Sequence, residues 1–148
     1  PQDVEFTIDV RSGTDSIRAA AVAAFKSELP GIAARRNVRL AIETLYDEPA
    51  ALCDPSLQKQ FEAAVAAQGI APRYLPSGAG HDAMVFPAVA PMAMLFMRCG
   101  NNGISHHPDE TITAEDAETA TQVLLHFFEH YQPPEFKADR AQRVDRAI

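Results

Sequence analysis

The sequence predicts an α/β fold, and three features of the chain predict it. Apolar and polar residues alternate with a period of two over Val4–Val10, and again over Val38–Leu45. Between these runs lies an Ala-rich stretch, Ser16–Ala34, with an approximate helical stripe. Farther on, helical patterns alternate with short apolar runs and a Gly-rich turn.

In the first run Val4, Phe6, Ile8 and Val10 share one face, opposite Glu5, Thr7, Asp9 and Arg11, as in a half-buried strand. Ser12-Gly13-Thr14-Asp15 reads as a turn and helix start. Ile17, Ala20, Ala21, Ala24, Leu29 and Ile32 form the stripe of the helix that follows, with a kink or break expected at Pro30-Gly31. In the second run Val38, Leu40, Ile42 and Thr44 face one way, and Arg39, Ala41, Glu43 and Leu45 the other. One helix and two strands cannot cover both faces of a sheet, so this β-α-β unit is expected to pair with further strands. With its first strand beginning almost at Pro1, the chain reads as starting in the middle of a domain.

A Pro-containing connector, Asp47 to Pro55, marks the expected boundary. Asp54 then suits the N-cap of a helix with Pro55 at its first position, running to Gln68 and stopped by Gly69. A short Arg73–Leu75 strand precedes the turn Pro76-Ser77-Gly78-Ala79-Gly80, and His81 to Ala88 reads as a short helical stretch. Ala93 to Met97 has the character of a buried strand, and Asn101-Asn102-Gly103 is a loop. Thr113, with Asp116 three residues later, opens a helix carrying Ala117, Ala120, Leu124, Phe127, Phe128 and Tyr131, which Pro133-Pro134 ends. Glu135 to Ile148 reads as a charged tail or peripheral helix.

The composition excludes several classes. At 148 residues the chain is 47% hydrophobic and 22% charged, in the range of globular domains. Its richest apolar stretch, Met84–Met97, is broken by Pro87 and Pro91 and falls short of a membrane span. No signal-peptide pattern opens the chain. A net charge of −7, with no basic face, argues against a nucleic-acid partner. Cys53 and Cys99 form no CxxC pair, so a reducing cytoplasm is the expected compartment.

Three segments carry chemistry. Phe6-Thr7-Ile8-Asp9-Val10-Arg11-Ser12 ends a strand on an arginine whose planar fork could hold a substrate carboxylate, or which could be a solvated edge residue. Ser77-Gly78-Ala79-Gly80-His81-Asp82-Ala83 follows a strand and opens a helix. Its glycines permit close backbone approach to a ligand, and His81 is either a ligand-facing group or one satisfied by its own turn. Gly103-Ile104-Ser105-His106-His107-Pro108-Asp109-Glu110 offers loop imidazoles as metal ligands, yet a catalytic metal needs about three protein ligands. His126 and His130 lie at i,i+4 on the last helix, without an HExxH motif, and read as structural.

In this order and spacing FTIDVRS, SGAGHDA and MLFMRCGNNGISHHPDE resemble one family along nearly the whole chain up to Gln132. It is the two-metal amidohydrolase group of N-carbamoyl-L-amino-acid hydrolases, beta-ureidopropionases and allantoate amidohydrolases, within the zinc exopeptidase superfamily. The resemblance implies an α/β fold in two parts. Residues 1–48 would be half of a ferredoxin-like β-α-β lid that makes a homodimer. Residues 49–132 would be the C-terminal part of a zinc-exopeptidase-like α/β catalytic domain, with 133–148 a tail.

It also implies roles. Arg11 matches the lid arginine that holds the substrate carboxylate, reaching into the neighbouring subunit's site; Gly80 and His81 match the substrate-contacting loop. His106 matches the last metal ligand, while His107 does not match a ligand. The other ligands, and the glutamate that serves as general base, are expected upstream of this chain. The implied reaction is metal-dependent hydrolysis of non-peptide C–N bonds in N-carbamoyl amino acids or ureido acids such as allantoate. The implied cofactors are two divalent ions, among zinc, manganese, cobalt and nickel. On this reading the 148 residues alone bind no metal tightly and are inactive. A short dimerisation or binding module derived from the family, or one half of a split enzyme, is the alternative.

Overall fold

The computed structural model describes residues 2–135, and the expectation of a charged tail or helix beyond Glu135 lies outside them. Among the described residues three α-helices carry the architecture: α1 (Asp15–Arg36), α2 (Pro55–Ala67) and α3 (Ala114–Glu129). Short 3-10 turns occupy Asp82–Ala88 and Asn101–Gly103. The chain divides into two compact units, one built of Pro1–Ala51 with Pro76–Met84, the other of Leu52–Leu75 with the chain from Val85 onward.

In the first unit, α1 is flanked by segments without regular secondary structure. Its N-terminus is tied to the connector, where Arg18 binds Asp47 and lies 3.4 Å from Asp15, and Asp15 Oδ1 accepts from the Ala50 N–H at 2.9 Å. Midway along, Lys26 donates to the Thr44 hydroxyl at 2.9 Å. Asn37 closes the helix in a left-handed conformation, φ 51°, with its N–H on the Ala33 and Ala34 carbonyls.

Of the kink or break expected at Pro30-Gly31, a break does not form, because α1 runs through Pro30. Proline there lacks the N–H for one helical bond and crowds the carbonyl four residues back, a local cost that the helix absorbs. The alanines on either side, each with high helix propensity, carry the backbone through.

The expected strands are also not formed as a sheet. Segments 4–10, 38–45, 73–75 and 93–97 take no regular secondary structure, and no strand ladder is present among the described residues. The period-two pattern specifies which side chains share a face. A ladder additionally requires a neighbouring strand to take up the backbone N–H and C=O groups. Val4, Phe6 and Ile8 on the first segment, and Val38, Leu40 and Ile42 on the second, accordingly stand exposed.

The second unit has its core between α2 and α3. Leu57 and Ala64 of α2 cluster with Val123 and Phe127 of α3, and Phe61, Val65, Ala93 and Leu95 pack around them. The spacing of these α2 positions places them on one helical stripe. Phe61 and Phe127 stack with centroids 4.0 Å apart and planes 4° from parallel. Ala93 and Leu95, two residues apart, reach this cluster from one side of their segment. On α3 the buried face is Ala120, Val123 and Phe127, whereas Leu124 and Phe128 of the expected stripe are exposed.

The capped helix starts expected at Asp54 and Thr113 are built. Asp54 accepts from the Ser56 and Leu57 N–H groups at 2.9 and 3.1 Å, and its carboxyl is held below its ordinary value, first by the Ser56 hydroxyl. Thr113 accepts from the Asp116 N–H at 3.0 Å and donates its hydroxyl to the Asp116 carboxylate at 2.6 Å. At the far end of α3 the Gln60 amide clamps Gln132, donating to its carbonyl and accepting from its N–H, each at 2.8 Å.

Candidate substrate and metal-ligand loops

The segment before α1 ends on an Asp-x-Arg pair whose side chains meet. Asp9 Oδ2 accepts from Arg11 Nε at 2.8 Å and from Nη2 at 2.5 Å. The remaining terminal nitrogen, Nη1, donates to the Gly78 carbonyl at 2.8 Å, across 67 residues of sequence. Hydrogen bonding to Arg11 lowers the Asp9 carboxyl from its ordinary value and raises the guanidinium. The structure therefore joins two of the segments singled out in the sequence, with Arg11 resting on the Gly-rich turn.

That turn is held by its own residues. The Ser77 hydroxyl donates to the Ala79 carbonyl at 3.2 Å. His81 Nδ1 accepts from the Ala83 N–H at 3.0 Å, and the His81 carbonyl accepts from the Met84 N–H at 2.9 Å, opening the 3-10 turn. With Nδ1 acting as acceptor, the neutral ring carries its proton on Nε2, which points a donor away from the backbone. Gly78 and Gly80 have free space where a side chain would begin, the nearest atom to Gly80 being Met84 Sδ at 3.9 Å. Arg11, Gly80 and His81 are all exposed and all belong to the first unit.

His106 belongs to the second unit, on a loop closed at its base. The Gly100 N–H donates to the Thr111 carbonyl at 2.8 Å, and Asn101 Nδ2 donates to the Asp109 carbonyl at 2.6 Å. Three successive residues, Asn101, Asn102 and Gly103, take left-handed backbone, which asparagine and glycine adopt readily. His106 is left-handed too, φ 55°, and its N–H donates to Glu110 Oε2 at 2.9 Å.

The two neighbouring imidazoles differ. His107 Nδ1 accepts from the Asp109 N–H at 3.2 Å and lies 3.5 Å from Asp109 Oδ2. The exposed His106 ring makes no hydrogen bond among the described residues. As to the implied metals, no group of three or more His, Cys, Asp or Glu side chains is placed to hold an ion among the described residues. One imidazole fits as a single ligand and does not amount to a metal centre.

His126 and His130 stack at 4.1 Å on α3, with His130 Nδ1 against the His126 carbonyl at 2.9 Å. Sequence reasoning missed Asp9, the Gly78 carbonyl and Glu110. The first was legible, because an acid two residues before an arginine in an extended run must share its face. The other two contacts depend on loop closure. No helix among the described residues is long and apolar enough to cross a membrane.

Comparison with known proteins agrees along the chain. The model of peptidase family M20/M25/M40 matches residues 4–130. An N-carbamoyl-L-amino acid amidohydrolase of Geobacillus stearothermophilus is 36% identical over 126 residues, covering 85% of this chain and 31% of that protein. Allantoate deiminase 2 of Glycine max is 33% identical over 138 residues, covering 88% of this chain and 28% of that protein. The allantoate deiminase of Arabidopsis thaliana is 34% identical over 138 residues, covering 87% and 26%. The chain thus spans less than a third of the length of these relatives. Its three motif segments all fall inside the matched residues, and the chain belongs to peptidase family M20/M25/M40, whose members imply an α/β zinc-exopeptidase-like domain.

Proposed function

We propose that this chain contributes a carboxylate-holding arginine, a substrate loop and one metal ligand to a metal-dependent hydrolase. Its substrates are N-carbamoyl amino acids or ureido acids such as allantoate, and the bond cleaved is a non-peptide C–N bond. The single observation that carries this reading is the bond from Arg11 to the Gly78 carbonyl, which brings the guanidinium onto the SGAGHDA turn. The names of the relatives supply the substrate class.

In this reading Arg11 takes the substrate carboxylate through charge-assisted hydrogen bonds. Gly80 and the Nε2–H of His81 line the substrate's other polar groups. His106, with its unshared imidazole, serves as one ligand to a pair of divalent ions, and His107 is left to brace the loop. The remaining ligands and the general base stand on residues outside this chain, and the 148 residues alone are inactive. Residues 1–48 act as half of a lid that forms a homodimer and residues 49–132 as part of the catalytic domain. The free cysteines Cys53 and Cys99 suit the cytoplasm.

The test begins with the intact mass of the polypeptide that its own cells make. That polypeptide, stripped with a chelator and reloaded with zinc, manganese, cobalt or nickel, is expected to hydrolyse N-carbamoyl-L-amino acids or allantoate only when metal is restored. Loss of metal binding in His106→Ala supports the ligand assignment. Metal-independent hydrolysis, or none with any of these substrates, overturns the reading, as does tight zinc binding by residues 1–148 alone.

A further inference from the structure

We infer that Asp9 is a positioning residue that orients the Arg11 guanidinium for a substrate carboxylate, an inference that rests on the proposed role of Arg11. A guanidinium has five N–H groups and no acceptor. Asp9 takes one from Nε and one from Nη2, and Gly78 takes one from Nη1. Two N–H groups are left, one on each terminal nitrogen. A pair of donors on the two terminal nitrogens is what a planar carboxylate requires for bidentate binding.

Without Asp9 an exposed arginine on such a segment would sample many rotamers, and any of its edges could meet the ligand. Holding Nε and Nη2 on a single carboxylate oxygen fixes the plane of the fork. The Gly78 carbonyl then sets its rotation from the other side. Binding energy that would go into ordering a long side chain is kept for the ligand. The ion pair itself is open to water, with side chains 59% and 63% exposed, so its contribution to folding is small. Its effect belongs to recognition.

The experiment uses the native polypeptide stripped of metal with a chelator, so that neither probe is turned over, and compares N-carbamoyl-L-alanine with N-carbamoyl-L-alaninamide, which lacks the carboxylate. Calorimetric titration yields the ratio of the two affinities for the parent, for Asp9→Ala, for Asp9→Asn and for Arg11→Ala. Two Asp9 variants are made so that misfolding of one leaves the other readable. Both are expected to lose more than about threefold of the preference for the carboxylate while binding the amide as the parent does, because charge-assisted bonds made from a fixed fork are the stronger ones. A preference retained within that margin, alongside a collapse in Arg11→Ala, overturns the role of Asp9 and leaves that of Arg11 standing. A preference unchanged in Arg11→Ala overturns both.

Discussion

The Arg11 guanidinium donates to the Gly78 carbonyl at 2.8 Å, although 67 residues separate them in the chain. Lysine keeps the charge at this position but lacks the planar fork. Arg11→Lys is therefore expected to lower affinity for a carboxylated ligand about tenfold, and Arg11→Ala to free the turn at Gly78. Faster amide exchange at Ala79 and Gly80 in Arg11→Ala, set against unchanged exchange in α2, would check the second effect.

His81 offers a spectroscopic prediction. Its Nδ1 accepts from the Ala83 N–H, so the neutral ring is expected to be the Nε2–H tautomer. Side-chain nitrogen NMR distinguishes the two tautomers directly. A proton on Nδ1 would contradict the geometry of the turn and remove the donor that the proposed role of His81 requires.

Gly100 meets Thr111 more closely than any side chain would allow. A Cβ there would collide with the Thr111 hydroxyl and lie 3.4 Å from its carbonyl oxygen. Gly100→Ala is expected to destabilise the second unit by about 1–3 kcal/mol through overpacking. It should also loosen the loop that carries His106. Adding Thr111→Ala removes the colliding hydroxyl, so the double variant should recover part of the loss in a urea melt.

The α2–α3 contact rests on Phe127, buried in the cluster and stacked on Phe61. Phe127→Ala is expected to cost about 3–5 kcal/mol, the usual range for removing a buried aromatic ring. Phe128→Ala, one residue along and exposed, should change stability by less than about 0.5 kcal/mol. Equilibrium unfolding of the two variants decides whether α3 faces α2 as described.

Asp54 gives α2 a pH dependence of known sign. Its carboxyl is lowered by hydrogen bonds from the Ser56 hydroxyl and from the Leu57 and Ser56 N–H groups. The stabilisation is complete above the ordinary aspartate value and fades as pH falls through the lowered folded value. Amide protection at Ser56 and Leu57 should decline on acidification over that window. Asp54→Asn should show no such step, since an amide does not titrate there.

Much of the local structure was legible in residues close together in the chain. Asp54 with Pro55, and Thr113 with Asp116, announce helix starts that the structure builds, because a cap is satisfied within three residues of itself. The motif segments could be read for the same reason, since residue types at short spacing carry their own chemistry. Other features needed the folded chain. Whether segments 4–10 and 38–45 become a sheet depends on a neighbouring strand, which alternation does not supply. Pro30 lies within α1 because the turns around it compensate for one missing bond. On α3, Val123 rather than Leu124 faces α2, a choice set by which residues Leu57 and Ala64 present. The meeting of Arg11 with Gly78 is of the same kind. Sequence alone specified an arginine and a Gly-rich turn; only tertiary structure brought the donor to its acceptor, because a hydrogen bond depends on distance in space and not on separation along the chain.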